Sequence, residues 1–360
     1  MHIKTSVDHI IVGQGLAGSC LALQLLWRGK KIVVFDLPEK NRASTIAAGL
    51  FNPVTGKRLS QSWKANELFP YLFEFYSKAE AFFQCKFFHP MPIYRPFDSV
   101  QEQNEWMAKS AENGTGKFIE NIFTTPTFTQ SKDPLGGLLT RHSGYLNVNL
   151  FLSEVRKVLV KENAFVQSHF HERNLEEQND GVIYQQVKAN SIIFCDGLQA
   201  LKNQLFEWLP IRPLRGETLV ITLSQKPELI FNRGVYIVPT DSENKFMVGA
   251  TYEPTSKTEE ITVASRSELK EKLNGLLNMP FEIVGQNWGF RPTTPDRRPI
   301  LGVHPDRPRT LVFNGLGTKG VSLAPYFSHL MAEWMDAKTE LPLEINIERF
   351  KALYSKFGSE

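Results

Sequence analysis

The stretch from His9 to Asp36, HIIVGQGLAGSCLALQLLWRGKKIVVFD, constrains the fold of this chain more than any other. Ile10-Ile11-Val12 is an apolar run ending in a glycine cluster, which predicts a buried strand. Gly13, Gly15 and Gly18 follow at G-x-G-x-x-G spacing and open a helical pattern with Leu16, Cys20, Leu23 and Trp27 on one face. A second apolar run, Ile32 to Phe35, ends on Asp36. Together these are the parts of a first βαβ unit of the dinucleotide-binding kind. Each glycine answers a separate demand. Gly13 permits the turn, Gly15 lets backbone approach a pyrophosphate, and Gly18 lets the helix lie close on the strand; Ala22 and Gly29 add further small positions. The helix start, with Leu16 and Ala17, would face phosphates with unpaired N–H groups and the positive end of its dipole. Asp36 would accept hydrogen bonds from a ribose 2′-OH and repel a 2′-phosphate, so FAD or NAD is expected and NADP is not. The competing reading is a plain surface glycine loop, and the flanking strand, helix and acid weigh against it.

The bulk properties are ordinary. A chain of 360 residues can bury a sizeable core and predicts two domains. It is 42% hydrophobic and 22% charged, as globular proteins are, and its net charge of +3 implies no nucleic-acid or membrane partner by itself. Basic pairs such as Lys30-Lys31, Lys57-Arg58 and Arg297-Arg298 are expected to be solvated surface. Met1 to Asp8 lacks an apolar signal-peptide core, and no run is long enough to span a membrane. Cys20, Cys85 and Cys195 form no CxxC pair and suit a reducing cytoplasm.

Beyond a polar loop, Leu37 to Ala43, comes Ser44-Thr45-Ile46-Ala47-Ala48-Gly49-Leu50. Small residues behind two hydroxyls suit backbone passing close to a flat ligand; a helix start capped by Ser44 is the other reading. Five segments, the Gly13 fingerprint and this run among them, resemble the D-amino-acid oxidase family of FAD-dependent amine oxidoreductases, which includes glycine oxidase and sarcosine oxidase. The resemblance covers both ends and the middle of the chain. It implies FAD, with Ser44, Thr45, Ala47, Ala48, Gly49 and Leu50 running from the pyrophosphate along the flavin edge. Asn52 to Arg58 extends that loop in a way the family pattern does not explain.

Other stretches read as framework. Phe69, Leu72, Phe73 and Tyr76 fall at helical spacing, and Phe87 to Tyr94 reads as a proline-interrupted strand at an edge or leading into a second domain. A helix is expected near Val100 to Ala111, and Gly114-Thr115-Gly116-Lys117 is no P-loop, because Ala111 stands where the first glycine is needed. A capped helix follows Gly144-Tyr145-Leu146-Asn147. His89 is assigned no partner, and His169 and His171 close a strand over Ala164 to Phe170 that reads as solvated, without a third metal ligand.

The remaining resemblances carry the expected chemistry. Val187 to Gly197 is similar to the strand after which flavoproteins of this class turn beneath the adenosine part, at Cys195 and Gly197, though Asp196 stands where the family has a small residue. Pro213-Leu214-Arg215-Gly216 resembles the family's Pro-x-Arg-Gly. Val235-Tyr236-Ile237-Val238-Pro239 resembles a segment whose tyrosine faces the substrate carboxylate, with Tyr252 a weaker candidate on the next strand; packing is the ordinary alternative for both. Thr240 to Asn244 reads as the intervening hairpin turn. Met247 aligns with a lysine that sarcosine oxidase keeps near the oxygen-reacting flavin face. Trp288-Gly289-Phe290-Arg291-Pro292, then Pro295-Asp296-x-x-Pro299-x-x-Gly302, resembles the family's Gly-x-Arg-Pro and Pro-Asp-x-x-Pro-x-x-Gly, with Arg291 at the carboxylate-binding arginine. A guanidinium is planar, permanently charged and bidentate, which suits that partner. Finally, Gly315, Gly317, Thr318 and Gly320 form a turn into a helix from Val321 to Met335, beside the flavin pyrimidine edge in relatives, with Lys319 as a cation there.

The fold expected is α/β (α+β overall): a Rossmann-like FAD-binding domain from residues 1–84, 141–205 and 286–360, and a smaller antiparallel-sheet substrate domain from 85–140 and 206–285. The resemblance implies noncovalent FAD and oxidation of the C–N bond of an amino acid or secondary amine carrying a carboxylate, with hydride transfer to flavin N5 and the substrate held by Arg291 and Tyr236. Three other readings stay open. They are a tRNA wobble-uridine demodification enzyme, since the flavin domain of the bacterial wobble-uridine enzyme is similar too; an NAD-dependent dehydrogenase; and a non-catalytic flavin-binding module.

Overall fold

The computed structural model describes residues 5–37, 41–55, 60–111 and 114–357. Two compact units emerge, each assembled from separated segments. The first takes Met1–Ser44, Asn149–Leu214 and Phe290–Glu360, and the second takes Thr45–Val148 and Arg215–Gly289. The long helix Ala65–Phe83, expected from sequence within the FAD-binding domain, groups with the second unit.

The first unit is built on an eight-stranded sheet. Strand Thr5–Val12 lies at its centre, parallel to Ile32–Phe35 on one side and to Val187–Phe194 on the other. Phe165–Val166 extends the parallel part beyond Ile32–Phe35, and Arg307–Asn314 extends it beyond Val187–Phe194. Parallel strands are covered on both faces, which is why Ile32–Phe35 can be apolar at every position. The helix Leu16–Trp27 is buried all round from Leu16 to Leu25, so the one-sided stripe expected from spacing understates how deeply it sits. The strand expected over Ala164 to Phe170 is only Phe165–Val166. Phe170 turns back instead and stacks on Tyr184 at 4.1 Å.

The second unit holds another eight-stranded sheet, in the order Phe281–Thr293, Arg212–Leu223, Lys245–Gly249, Val235–Pro239, Ile230–Arg233, Ile93–Pro96, Gly137–Thr140, Ile119–Phe123. Helix Val263–Leu276 packs Leu269, Leu273 and Leu276 onto one face. A three-stranded sheet of Leu50–Phe51, Gly144–Leu146 and Phe88–Pro90 stands beside it. The prolines around residue 90 thus resolve in two ways. Phe88–Pro90 is an edge, but Ile93–Pro96 is interior, tolerated because Pro92 falls before the strand and Pro96 at its last position. His89, assigned no partner from sequence, stacks on Tyr145 at 4.7 Å. No helix among the described residues is long and apolar enough to cross a membrane.

Candidate active site

In the first unit the glycine fingerprint forms a tight turn between strand and helix. Gly13 has φ +96°, and a side chain there would meet the Cys195 carbonyl oxygen at 2.6 Å. A side chain on Gly18 would lie 1.9 Å from the Gly13 carbonyl oxygen. Those two contacts show why both positions need glycine. Gly15 caps the helix without any side-chain bond of its own; Ser44 Oγ accepts the Leu16 N–H at 3.2 Å. Ser44 is therefore brought to the helix start, within the short helix Ala43–Ile46.

The other glycine-rich turn of this unit lies alongside. A side chain on Gly320 would stand 3.0 Å from Leu16 Cδ1, which puts the start of helix Gly320–Met335 next to that of Leu16–Trp27. This second helix is capped by Lys319 and also has no side-chain cap bond. Gly317 N–H donates to the Pro292 carbonyl at 2.9 Å, which ties the Arg291-Pro292 segment to the turn. Asn314 Nδ2 donates to the Gly197 carbonyl at 2.8 Å and to Asp196 Oδ1 at 3.3 Å, and its Oδ1 accepts the Gly315 N–H at 2.8 Å. Gly13, Gly15, Leu16, Gly18, Ser44, Cys195, Gly197, Gly315, Gly317 and Gly320 thus share one neighbourhood. Ala17 and Val321 lie buried in the first turns of the two helices, and Thr318 is exposed.

Burial gives this neighbourhood three unusual ionisable groups. Asp196 is pushed up to about 7 by burial, with its hydrogen bonds pulling the other way. Lys319 is held below the ordinary lysine range by burial and by the neighbouring positive charge of Arg297. Cys195 is pushed well above the thiol range by burial, with Asp196 adding to it.

Asp36 has more protein partners than its sequence role predicts. It accepts the Gln14 N–H at 2.9 Å and both Nη groups of Arg42 at 2.8 and 2.9 Å, and forms an ion pair with Arg156 Nη2 at 3.5 Å. Gln14 binds Arg156 in turn, its Oε1 accepting from Nε at 2.7 Å. Two arginines facing one carboxylate leave a net positive charge here, so the argument that Asp36 alone would repel a 2′-phosphate does not hold at this site. Neither arginine was visible as a site residue in the sequence. Arg42 sits in a polar loop, and Arg156 lies far along the chain in helix Val148–Lys161.

Within the second unit, Ala48 and Leu50 pack with Tyr145 and Tyr236 around Ile93, Ile230 and Val238. Gly49 has φ +75° and a side chain there would strike the Leu146 carbonyl at 1.8 Å, so that glycine answers a packing need. Tyr236 pairs with Gly249 across the sheet, and a side chain on Gly249 would lie 2.6 Å from the Tyr236 hydroxyl. Met247 is on the same strand as Gly249. Tyr252 is not on the strand where sequence placed it. Lys245–Gly249 ends first, and Tyr252 is 60% exposed. Arg215 is fully buried against Glu217 at 2.8 Å and Glu253 at 2.5 Å, which makes the Pro-x-Arg-Gly segment a structural clamp. The extension after Asn52 forms a small hairpin of Val54–Thr55 with Ser60–Gln61, and residues 56–59 lie outside the described residues. No cluster of three or more His, Cys, Asp or Glu suited to a metal occurs among the described residues.

A dinucleotide diphosphate fits the first unit's neighbourhood. The glycine turns leave backbone bare, and two helix starts whose own N-cap residues make no side-chain bond, with Ser44 Oγ at one of them, present positive dipole ends. Comparison with known proteins agrees. The bifunctional protein ThiO/ThiG of Nostoc sp. (strain PCC 7120) is 27% identical over 93% of this chain and 54% of its own length. The tRNA 5-methylaminomethyl-2-thiouridine biosynthesis bifunctional protein MnmC of Saccharophagus degradans is 25% identical over 83% of this chain and 45% of its own. The chain therefore spans about half the length of these curated relatives. Glycine oxidase from Geobacillus kaustophilus shares the fold, with a TM-score of 0.78 at 18% identity, covering 94% of this chain and 96% of that one. Residues 8–334 match the family described as DAO, FAD dependent oxidoreductase, and the chain belongs to it.

Proposed function

We propose that this FAD-dependent oxidoreductase oxidises the C–N bond of an amino acid or secondary amine that carries a carboxylate, with Arg291 as the carboxylate's partner. The observation that carries this reading is the bond from Gly317 N–H to the carbonyl of Pro292. It fixes the backbone beside Arg291 to the turn that, by the family resemblance, borders the flavin. FAD supplies the acceptor for the two electrons lost as the amine becomes an imine, which water then hydrolyses. Arg291 would orient the carboxylate as a fork, and Lys319 would place a positive charge at the helix start. Tyr236, next to Gly249, would bound the substrate. Positioning and electrostatics carry most of the rate in such a site, and no protein base is required if the amine binds uncharged. Gly13, Gly15, Gly18, Ser44, Gly197 and Gly315 would hold the cofactor through backbone and hydroxyl contacts.

The test is anaerobic. Purified FAD-loaded protein is mixed with a panel of N-alkyl and free amino acids and with the matching amines lacking a carboxylate, and the visible flavin absorbance is followed. Bleaching by the carboxylated members alone is expected. No bleaching by any member, or equal bleaching by plain amines, would sink the proposal. The Saccharophagus relative supports a second reading, an amine borne on tRNA. It would show copurifying nucleic acid and steeply salt-dependent binding.

A further inference from the structure

In dinucleotide-binding folds the acid that ends the second strand ordinarily takes the adenosine ribose through its 2′-OH. Asp36 stands at that place, but a ligand can scarcely reach it, because its side chain is 1% exposed. A carboxylate offers about four lone-pair positions. Oδ1 accepts from Gln14 N–H and from Arg42 Nη2, Oδ2 accepts from Arg42 Nη1, and Arg156 Nη2 stands 3.5 Å from Oδ2. The protein itself thus fills three positions and keeps a cation beside the oxygen that has the fourth. What the surface presents at this corner is guanidinium. The Arg42 side chain is 23% exposed and that of Arg156 is 35% exposed.

Arg156 is held there by more than its charge. It lies one turn after Leu152 on helix Val148–Lys161, and the buried Gln14 binds both residues. Gln14 Nε2 donates to the Leu152 carbonyl at 2.8 Å, and its Oε1 accepts Arg156 Nε at 2.7 Å. The Phe165 ring supports the guanidinium, with Cζ 5.1 Å from the ring centroid. Ordering a long arginine side chain costs conformational entropy, and here the protein orders it before any ligand arrives. Since Gln14 lies between Gly13 and Gly15, the arginine is tied directly to the glycine turn. All these residues belong to the first unit. With Nε bound and one face stacked, the Nη edge is what remains for a ligand. Two guanidinium groups against one carboxylate leave one positive charge here among the described residues.

We infer that Arg156 donates to the 2′-oxygen of the cofactor's adenosine ribose, that Asp36 serves as counter-ion to the two arginines, and that this corner therefore accepts an adenosine 2′-phosphate. A hydroxyl oxygen and a phosphate oxygen both accept a hydrogen bond from guanidinium, and the phosphate adds charge attraction. Contact through the carboxylate would demand the opposite, a hydroxyl that donates and no further negative charge nearby.

The test is an exchange on full-length, FAD-loaded protein. It is equilibrated with an excess of FAD whose adenosine ribose carries a 2′-phosphate, or of FAD whose adenosine ribose lacks the 2′-hydroxyl. Protein-bound flavins are then separated, released by acid and quantified by chromatography, and the bound ratio gives the relative affinity. The 2′-phosphate form should bind wild type at least as tightly as FAD, and the 2′-deoxy form more weakly than FAD. In Arg156→Gln the affinity of the 2′-phosphate form relative to FAD should fall at least about tenfold, the worth of one hydrogen bond from a charged donor. The preference for FAD over the 2′-deoxy form should disappear in the same variant. Arg156→Lys keeps the charge and should retain more of the 2′-phosphate binding than the glutamine variant. A 2′-phosphate that weakens binding to wild type overturns the inference without any variant, as does a wild type that takes FAD and the 2′-deoxy form alike. A preference for FAD over the 2′-deoxy form that Arg156→Gln leaves unchanged returns the ribose to Asp36 and overturns it too.

Discussion

Arg291 is the residue on which the substrate assignment turns. Losing one member of a buried, hydrogen-bonded charge pair costs about 2–5 kcal/mol, and about 1.4 kcal/mol is tenfold in rate. Arg291→Ala should therefore lower kcat/KM for carboxylated amines by at least about tenfold, with FAD content near normal. Arg291→Lys should also be impaired, since lysine keeps the charge but not the fork. Amines without a carboxylate should respond far less, and loss of FAD from the alanine variant would instead make Arg291 structural. Asp196 gives a prediction in pH. Its unfolded carboxyl titrates at about 3.9, while in the fold it is pushed up to about 7 by burial. Between those values the native state holds a proton that the unfolded chain has lost. Its contribution to stability is thus largest below the lower value, falls as pH rises through the window, and is gone above about 7. Asp196→Asn removes that dependence. Its Tm advantage over the wild type, measured on FAD-loaded protein, should be larger at pH 8 than at pH 5 by at least about 2 °C. An advantage that does not change with pH would mean Asp196 is ionised in the fold throughout.

At the scale of elements, the turn from Gly13 to Gly18 was legible in the sequence because its three glycines fall at fixed spacing within six residues, although only Gly18 answers a steric demand inside the turn and Gly13 packs on distant Cys195. Gly18→Ala should show this directly. The new Cβ would stand 1.9 Å from the Gly13 carbonyl oxygen, a backbone atom that cannot step aside, so helix and turn must separate. Purified Gly18→Ala should carry less than about half the FAD of the wild type and melt several degrees lower, about 1–3 kcal/mol of strain. The control is Gly275→Ala in helix Val263–Leu276, where an added Cβ meets nothing within 4 Å and a gain of about 0.5–1 kcal/mol is expected. FAD content equal in both variants would remove the steric argument. What was not legible joins elements far apart in the chain. Arg42, in a polar loop, and Arg156 carry no site signal in the sequence, and only the fold brings both to Asp36. Tyr252 failed because alternation continues past Gly249 in the sequence, but the strand does not.

For the molecule as a whole, sequence was sufficient for the α/β class and the flavin family, since glycine spacing and apolar runs are local. It placed Ala65–Phe83 differently from the observed division because a helix's own pattern does not say which unit it packs against. The attachment of the cofactor is also a whole-chain property. Cys20 and Cys195 are buried, Cys195 is held protonated by that burial, and no cysteine follows it in the sequence. A thiolate, and not a thiol, is the nucleophile that would be needed for a thioether to flavin. Acid precipitation should leave essentially all the yellow colour in the supernatant, and colour remaining in the pellet would show a covalent link.

The interleaving of the two units also sets a schedule for synthesis. The chain passes from one unit to the other after Ser44, Val148, Leu214 and Gly289. A ribosome therefore delivers every segment of the second unit before it delivers the last segment of the first. The Ile192–Phe194 end of strand Val187–Phe194, whose first half pairs with Gly181–Tyr184, has to wait for Arg307–Asn314 to emerge. The unit begun first is completed last, and a nascent chain halted near residue 290 would leave the first unit open when the second is fully supplied.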